Sequence, residues 1–215
     1  MWEFLFCFRE SVYLLKPPHF IILENQNIIT QIFKNVDLDT IAVNLINQGM
    51  ERIEVKKGEI LIDVNQVVID QYYVHSGCLR SYFTDTVGKE HTLMFAINDW
   101  WISDYTAYFT KAPAIVTIEC LQDAVIYKLP KEKLDNLYEN IPSLESFFRK
   151  KMEGAFASFQ KRILGNISLS ARERYHSFIT TYPTIEKTVK NYHIASYLGI
   201  TTESLSRIRK EIAKG

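Results

Sequence analysis

Asn191–Lys210 reads NYHIASYLGITTESLSRIRK, and no other stretch has so many chemically meaningful residues at meaningful spacings. Two short helices that cross closely through a tight turn impose demands that can be checked position by position. The first helix needs a small side chain where the second passes over it, and Ala195 supplies one. Four residues later the turn needs a residue that tolerates positive φ, and Gly199 stands there. Ile194, Leu198, Ile200, Leu205 and Ile208 occupy the offsets at which apolar side chains pin two such helices together. Thr201 precedes Thr202, Glu203 and Ser204, and its side-chain oxygen can accept a backbone N–H at the helix start. The segment therefore reads as a helix-turn-helix.

The second helix then presents Thr202, Glu203, Ser206, Arg207 and Lys210 to solvent. Polar side chains near the start of such a helix reach base edges when it lies in the major groove of double-stranded DNA. Thr202, Glu203, Ser206 and Arg207 are the candidate base readers. Arg207 can bond guanine O6 and N7 together, and Glu203 can accept from cytosine N4. Thr201, Arg209 and Lys210, with Lys187 and Lys190 nearby, are expected to hold phosphates and set register. Charge is distributed to match. The chain is neutral overall, but residues 1–142 hold 12 Lys and Arg against 19 Asp and Glu, whereas residues 143–215 hold 13 against 6. An acidic front and a basic rear suggest that only the rear meets a polyanion. The competing reading is an ordinary solvated helix face and chance segregation of charge.

The elements that must position this segment follow from periodicity. Residues 1–27 are an apolar, aromatic extension of unclear role, interrupted by Lys16-Pro17-Pro18. Between Ile28 and Gly49 two short amphipathic helices are expected, with Val36, Leu38, Ile41, Leu45 and Ile46 as the apolar rhythm and Asp37 as an N-cap. From Glu51 to Leu129 the pattern becomes short strands: Ile53–Val55, Ile60–Ile62, Tyr72–Val74, Leu79–Phe83, Thr92–Phe95, Val116–Glu119 and Val125–Leu129. Turns are expected at Lys57-Gly58, Ser76-Gly77 and Asp85 to Gly88. Such spacing describes a sandwich, roll or barrel. Helices follow at Lys131–Glu139 and, after Pro142, over Ser143–Ile167. The latter carries an apolar stripe of Leu144, Phe148, Met152, Ala155, Phe159, Ile163 and Ile167. Its length and its place between two domains point to a homodimer seam over residues 143–167 formed by Phe148, Met152, Ala155, Phe159 and Ile163. The divisions are thus 1–27, 28–142, 143–167 and 168–215.

Composition bounds what else the chain can be. Of 215 residues, 47% are hydrophobic and 13% aromatic, enough for a proper core and far from a disordered composition. Three cysteines without CxxC spacing fit reduced thiols. No run approaches the ~20 apolar residues of a membrane span, so a soluble, cytoplasmic protein is expected. No Gly-rich phosphate loop, GxSxG elbow or HExxH occurs. A metal-dependent barrel enzyme needs two or three His with a Glu, and His91 has only Glu90 beside it. No enzyme, cofactor or metal site is expected: an iron–sulfur sensor needs four clustered thiolates. For haem, only His75 and His91 are available in the strand region, and a surface role suits His75 better.

Several landmarks resemble the Crp/Fnr family, the cyclic-AMP receptor protein and its relatives, from about Ile28 onward. They are Lys57-Gly58-Glu59, Tyr72 to Gly77 (YYVHSG), Gly88-Lys89-Glu90 and the Ile200–Lys210 segment. The resemblance implies an α+β chain: a cyclic-nucleotide-binding-type β-roll (a double-stranded β-helix or jelly roll) as sensor over 28–142, a long dimerisation helix, and a C-terminal winged helix-turn-helix over 168–215. It also implies that Thr202, Glu203 and Arg207 hold the family's base-reading positions, and it makes RNA polymerase a possible further partner.

The effector region departs from the family pattern. Ser103-Asp104 stands where cyclic-AMP binders carry Gly-Glu, and Pro113-Ala114 falls where Arg-Ser pairs the cyclic phosphate. Lys111 is a poor substitute for a bidentate arginine, and a buried phosphate without a counter-charge is strongly disfavoured. Cyclic AMP is therefore not the expected effector. Either an unknown small molecule uses a pocket near Ser103, Asp104, Pro113 and Ala114, or the roll is purely structural. Trp100, Trp101, Tyr105, Tyr108 and Phe109 either line an apolar pocket or fill the core, and core is the preferred reading.

Overall fold

From Glu51 to Pro130 the β-branched and aromatic residues form antiparallel strands in the computed structural model, which describes residues 28–213. β1 (Glu51–Val55), β2 (Ile60–Ile62), β3 (Asp70–Thr84), β4 (Glu90–Ala96), β5 (Trp100–Ile102) and β6 (Thr117–Pro130) make one sheet. β1 and β2 both pair with β6, while β4 and β5 both pair with β3. A long strand that serves two partners in succession bends between them, and the two central strands so roll the sheet around an interior. Val55, Ile62, Val74, Leu79, Ile102, Ile118 and Ile126 fill that interior. The expected extension at 1–27 lies outside the described residues.

The expected turn at Ser76-Gly77 is not a turn. Tyr72–Val74 and Leu79–Phe83 are parts of β3, and the pairing with β6 shifts register between Val74 and Ser76 and again between Ser76 and Cys78. Gly77 takes φ +93° at this irregularity, where a Cβ would lie 2.6 Å from that of Ala124 and 2.7 Å from the Asp123 carbonyl. Glycine is there because the partner strand passes too close for any side chain. In the same way Val125–Leu129 continues the strand begun at Thr117.

Helices cover one side of the roll. α1 (Thr40–Gly49) is capped by Asp39, whose Oδ1 accepts from the Ala42 N–H at 2.8 Å; the cap is not Asp37. Of the two helices expected between Ile28 and Gly49, α1 is the second and the first is a short helical segment at 28–32. α2 (Tyr105–Thr110), absent from the sequence reading as is β5, interrupts the sheet. α3 (Lys131–Asn140) and the start of α4 (Pro142–Ser168) complete a core of Ile29, Phe33, Ile46, Leu129, Leu134, Leu137, Leu144 and Phe148.

Phe148 corrects the expected seam. It is 5% exposed, with its ring edge-on to Trp101 at 5.0 Å and to Phe147 at 5.3 Å, so it belongs to the chain's own core. Met152 is half-buried. Beyond it α4 leaves the body, and Ala155, Phe159, Ile163 and Ile167 are exposed together with Phe156 and Leu164, which the stripe had missed. Phe156 is 70% exposed, far more than a core helix leaves open.

A capping box then starts α5 (Ala171–Thr181): Ser170 Oγ accepts from Glu173 N, and Glu173 Oε2 accepts from Ser170 N at 2.8 Å. A single 3₁₀ turn (Ile185–Lys187), α6 (Asn191–Leu198) and α7 (Thr202–Ile212) follow. Among the described residues no strand comes after β6, so this part of the chain is helical throughout and shows no wing.

Candidate nucleic-acid interface

α6 ends at Gly199, which takes φ +66° and ψ 36°. With that residue left-handed, Ile200 N–H reaches back to the Ala195 carbonyl at 3.0 Å and closes the helix end. Ala195, Ile194 and Leu198 of α6 pack against Leu205 and Ile208 of α7, over Tyr175 and Phe178 of α5. Thr201 Oγ1 accepts from the Ser204 N–H at 3.2 Å and so caps α7. Burial of Leu205 and Ile208 fixes which side of α7 faces outward. Glu203, Ser206, Arg207 and Lys210 are exposed and Thr202 is half-buried, and the five line one shallow hollow of about 450 Å³. Its own backbone N–H, then the Thr201 and Thr202 hydroxyls, hold the Glu203 carboxyl below the usual range, so it is anionic and able only to accept.

The residues expected to hold phosphates are placed differently from one another. Lys190, just before α6, and Lys187 in the 3₁₀ turn are exposed, as is Lys210. Thr201 spends its oxygen on the helix cap and donates toward Ser204 Oγ at 3.3 Å. Arg209 is a correction. Its guanidinium turns inward to Glu186, Tyr175 and Asn191 and does not point to solvent with Arg207.

Sequence spacing carried no signal for the contact between this domain and the roll. Ser196 Oγ donates to the Glu90 carbonyl at 2.8 Å and accepts from the Thr92 N–H at 2.9 Å, which docks α6 on β4. Arg162 of α4 donates to the Thr92 carbonyl at 3.3 Å and lies 4.3 Å from the Tyr197 ring centre. Phe95 of β4 packs among Phe178, Tyr182 and Tyr197, and Trp100 meets Tyr182 at 5.5 Å. Beneath, the buried Arg80 pairs with Glu90 and Glu119, each at 2.7 Å. His193 of α6 is 3% exposed at this seam and its Nδ1 has no partner. Burial, then Arg80 and Lys190, push its pKa down to about 3.

Of the residues expected at an effector pocket, Ser103 and Asp104 are engaged within the fold. Asp104 is buried, and Oδ1 accepts from Ala107 N at 3.1 Å while Oδ2 accepts from Ile115 N at 2.7 Å and Val116 N at 3.2 Å. The carboxylate thus caps α2 and clamps the loop after it, leaving nothing to offer a ribose hydroxyl. Ser103 Oγ donates to the Asp70 carbonyl at 2.7 Å. Ala114 is buried and bonded to Gln66, while Pro113 is exposed. Three of the four are buried and have these polar groups paired within the fold. Trp101 is core, packed on Tyr73 and Phe148, whereas Phe109 is exposed. His75 lies within β3, half-buried and edge-on to Tyr127 at 6.1 Å, and His91 Nε2 sits 2.8 Å from Asp85 Oδ2.

The described residues thus form a rolled antiparallel sheet, a long helix and a helix-turn-helix. The cyclic nucleotide-binding domain family matches residues 52–140. The chain is 23% identical over 192 residues to the fumarate and nitrate reduction regulatory protein of Vibrio cholerae, covering 84% of this chain and 76% of that one. It is 23% identical over 165 residues to the anaerobic regulatory protein of Aggregatibacter actinomycetemcomitans, covering 72% of this chain and 63% of that relative's length, just under two thirds. The fold is shared with FixK2 from Bradyrhizobium japonicum, with a TM-score of 0.66, 16% identity and coverage of 77% and 85%. It is shared too with a Crp/Fnr-family protein from Eubacterium rectale, with a TM-score of 0.64, 24% identity and coverage of 83% and 86%. The chain thus resembles Crp/Fnr regulators in sequence and shares their fold.

Proposed function

We propose that this chain is a sequence-specific, DNA-binding transcription regulator that acts as a homodimer on a near-palindromic site. One observation carries the reading: α7 keeps Leu205 and Ile208 dry while Glu203, Ser206, Arg207 and Lys210 stand together in solvent. That is the disposition a helix needs to enter a major groove. Arg207 and Glu203, with Thr202 and Ser206, read bases; Lys190 and Lys210 hold phosphates. The exposed face of Ala155, Phe156, Phe159 and Ile163, with half-buried Met152 at its edge, is the dimer seam, because two copies pairing there hide apolar surface that one copy leaves wet. The pair places two recognition helices ~34 Å apart, one helical turn of DNA. RNA polymerase is the further partner such a role calls for, and the cytoplasm is its place of action.

The second reading concerns the roll. With the Asp104 carboxylate spent on three backbone N–H groups, a ligand-free, structural roll is favoured over a cyclic-nucleotide sensor. Selection of bound duplexes from a random pool tests the main reading. It should return an inverted repeat with half-site centres about 10 base pairs apart, and enrichment of no sequence refutes it. A thermal-shift screen of metabolites tests the second: stabilisation by any one of them returns the sensor.

A further inference from the structure

α7 carries two arginines two positions apart in opposite environments. Arg207 is exposed beside Glu203 and Ser206. Arg209 faces the body of the domain, and its side chain is 23% exposed. Its Nε lies 2.9 Å from Glu186 Oε1 and donates toward Tyr175 Oη at 3.3 Å. One Nη donates to Asn191 Oδ1 at 2.6 Å and the other to the Glu186 carbonyl at 3.2 Å. Tyr175 Oη in turn donates to Glu186 Oε1 at 2.9 Å. A single guanidinium thus ties α7 to α5, to the 3₁₀ turn and to the first residue of α6.

Leu205 and Ile208 hold α7 against the domain by hydrophobic packing, which is non-directional. Such packing resists separation but tolerates small rotations and slides along the helix axis. Base reading by a forked side chain does not tolerate them, since both N–H groups must meet O6 and N7 of one guanine. The charge-assisted bonds of a planar guanidinium are directional and short, and supply the missing restraint.

We infer that Arg209, with Glu186 as its main anchor, is a positioning residue for base recognition and does not itself touch phosphate. The inference rests on the DNA-binding reading above. It assigns to Glu186 a role that simple electrostatics would not: an acid beside a polyanion site helps binding because it orients the reader.

The test is fluorescence anisotropy of the selected duplex and a scrambled one across a salt series. It compares wild type, Arg209→Ala, Glu186→Gln, Tyr175→Phe and Lys210→Ala, each checked for a cooperative melt. Arg209→Ala and Glu186→Gln should each reduce the preference for the selected duplex by about tenfold, the loss of one well-placed charged contact. Arg209→Ala should leave the salt slope as in wild type, whereas Lys210→Ala should weaken both duplexes alike and flatten the slope by about 1. The inference is overturned if Arg209→Ala behaves as Lys210→Ala does, or if Glu186→Gln tightens both duplexes as removal of a repelling charge would. Should Arg209→Ala not fold, Glu186→Gln and Tyr175→Phe decide, because unchanged preference in both overturns it. A wild-type chain that prefers neither duplex overturns the parent reading instead, and the role of Arg209 falls with it.

Discussion

Acidification should loosen the contact between the helix-turn-helix and the roll, and His193 sets the size of the effect. Its imidazole is almost fully buried between α6 and β4, with Nδ1 unpartnered. The groups around it are Arg80 from β3, paired with Glu90 and Glu119, Lys190 just before α6 and Tyr192 from its own helix. Burial, then Arg80, then Lys190 disfavour the charged ring and lower its pKa to about 3. Once exposed, the ring returns to about 6.5. A depressed pKa means the docked state binds the neutral form. The stabilisation is therefore whole above about pH 6.5 and is lost progressively as pH falls from there toward 3. At about 1.4 kcal/mol per pH unit, the loss is about 1.4 kcal/mol at pH 5.5 and about 2 kcal/mol at pH 5.0. Carboxylates with lowered pKa values, such as Asp85, Asp123 and Glu173, lose their contribution only as pH falls below their ordinary values of 3.8 to 4.5, under the lowest pH of the urea series. Urea denaturation at pH 7.5, 6.5, 5.5 and 5.0 should show that loss in wild type and a much flatter profile in His193→Gln. A flat wild-type profile, or the same slope in both proteins, refutes the reasoning.

Three further outcomes follow. Phe159→Glu should yield a monomer by sedimentation at concentrations where wild type is dimeric. Two lost Phe contacts of about 1.5 kcal/mol or more amount to at least about a hundredfold in dimer affinity. Gly77→Ala should lower stability by about 2–4 kcal/mol in the same urea assay, because its Cβ would meet Ala124 at 2.6 Å and φ is +93°. Calorimetry with cyclic AMP should show no micromolar binding, since Asp104 is committed to the Ala107, Ile115 and Val116 N–H groups.

What the sequence made legible differs by region for physical reasons. Ala195, Gly199, Leu205 and Ile208 were identifiable because two helices crossing at a tight turn leave few residue types at each position, and those constraints are local. The seam was half legible. An apolar period states that a stripe is buried but not by what, so Phe148, covered by Phe33 and Trp101, looked the same as Phe159, which the described residues leave 53% exposed. Phe156 lies four residues after Met152 and three before Phe159, a rhythm that would have placed it on the same face. Gly77 signals a turn in sequence because turns and strand irregularities need the same positive φ. Arg209 and Asp104 misled for another reason: their partners lie up to 34 residues away, and spacing along the chain does not reveal contacts across a fold. The docking of Ser196 on Glu90 and Thr92 was hidden in the same way.

The most direct measurement is the affinity of wild type and Arg207→Ala for one selected duplex and one scrambled duplex at a fixed, stated salt concentration. Wild type should prefer the selected duplex by about a thousandfold or more. Arg207→Ala should lose about 1–3 kcal/mol on the selected duplex and almost nothing on the scrambled one. Equal losses on both, or a wild-type chain that binds neither even at low salt, would contradict the account.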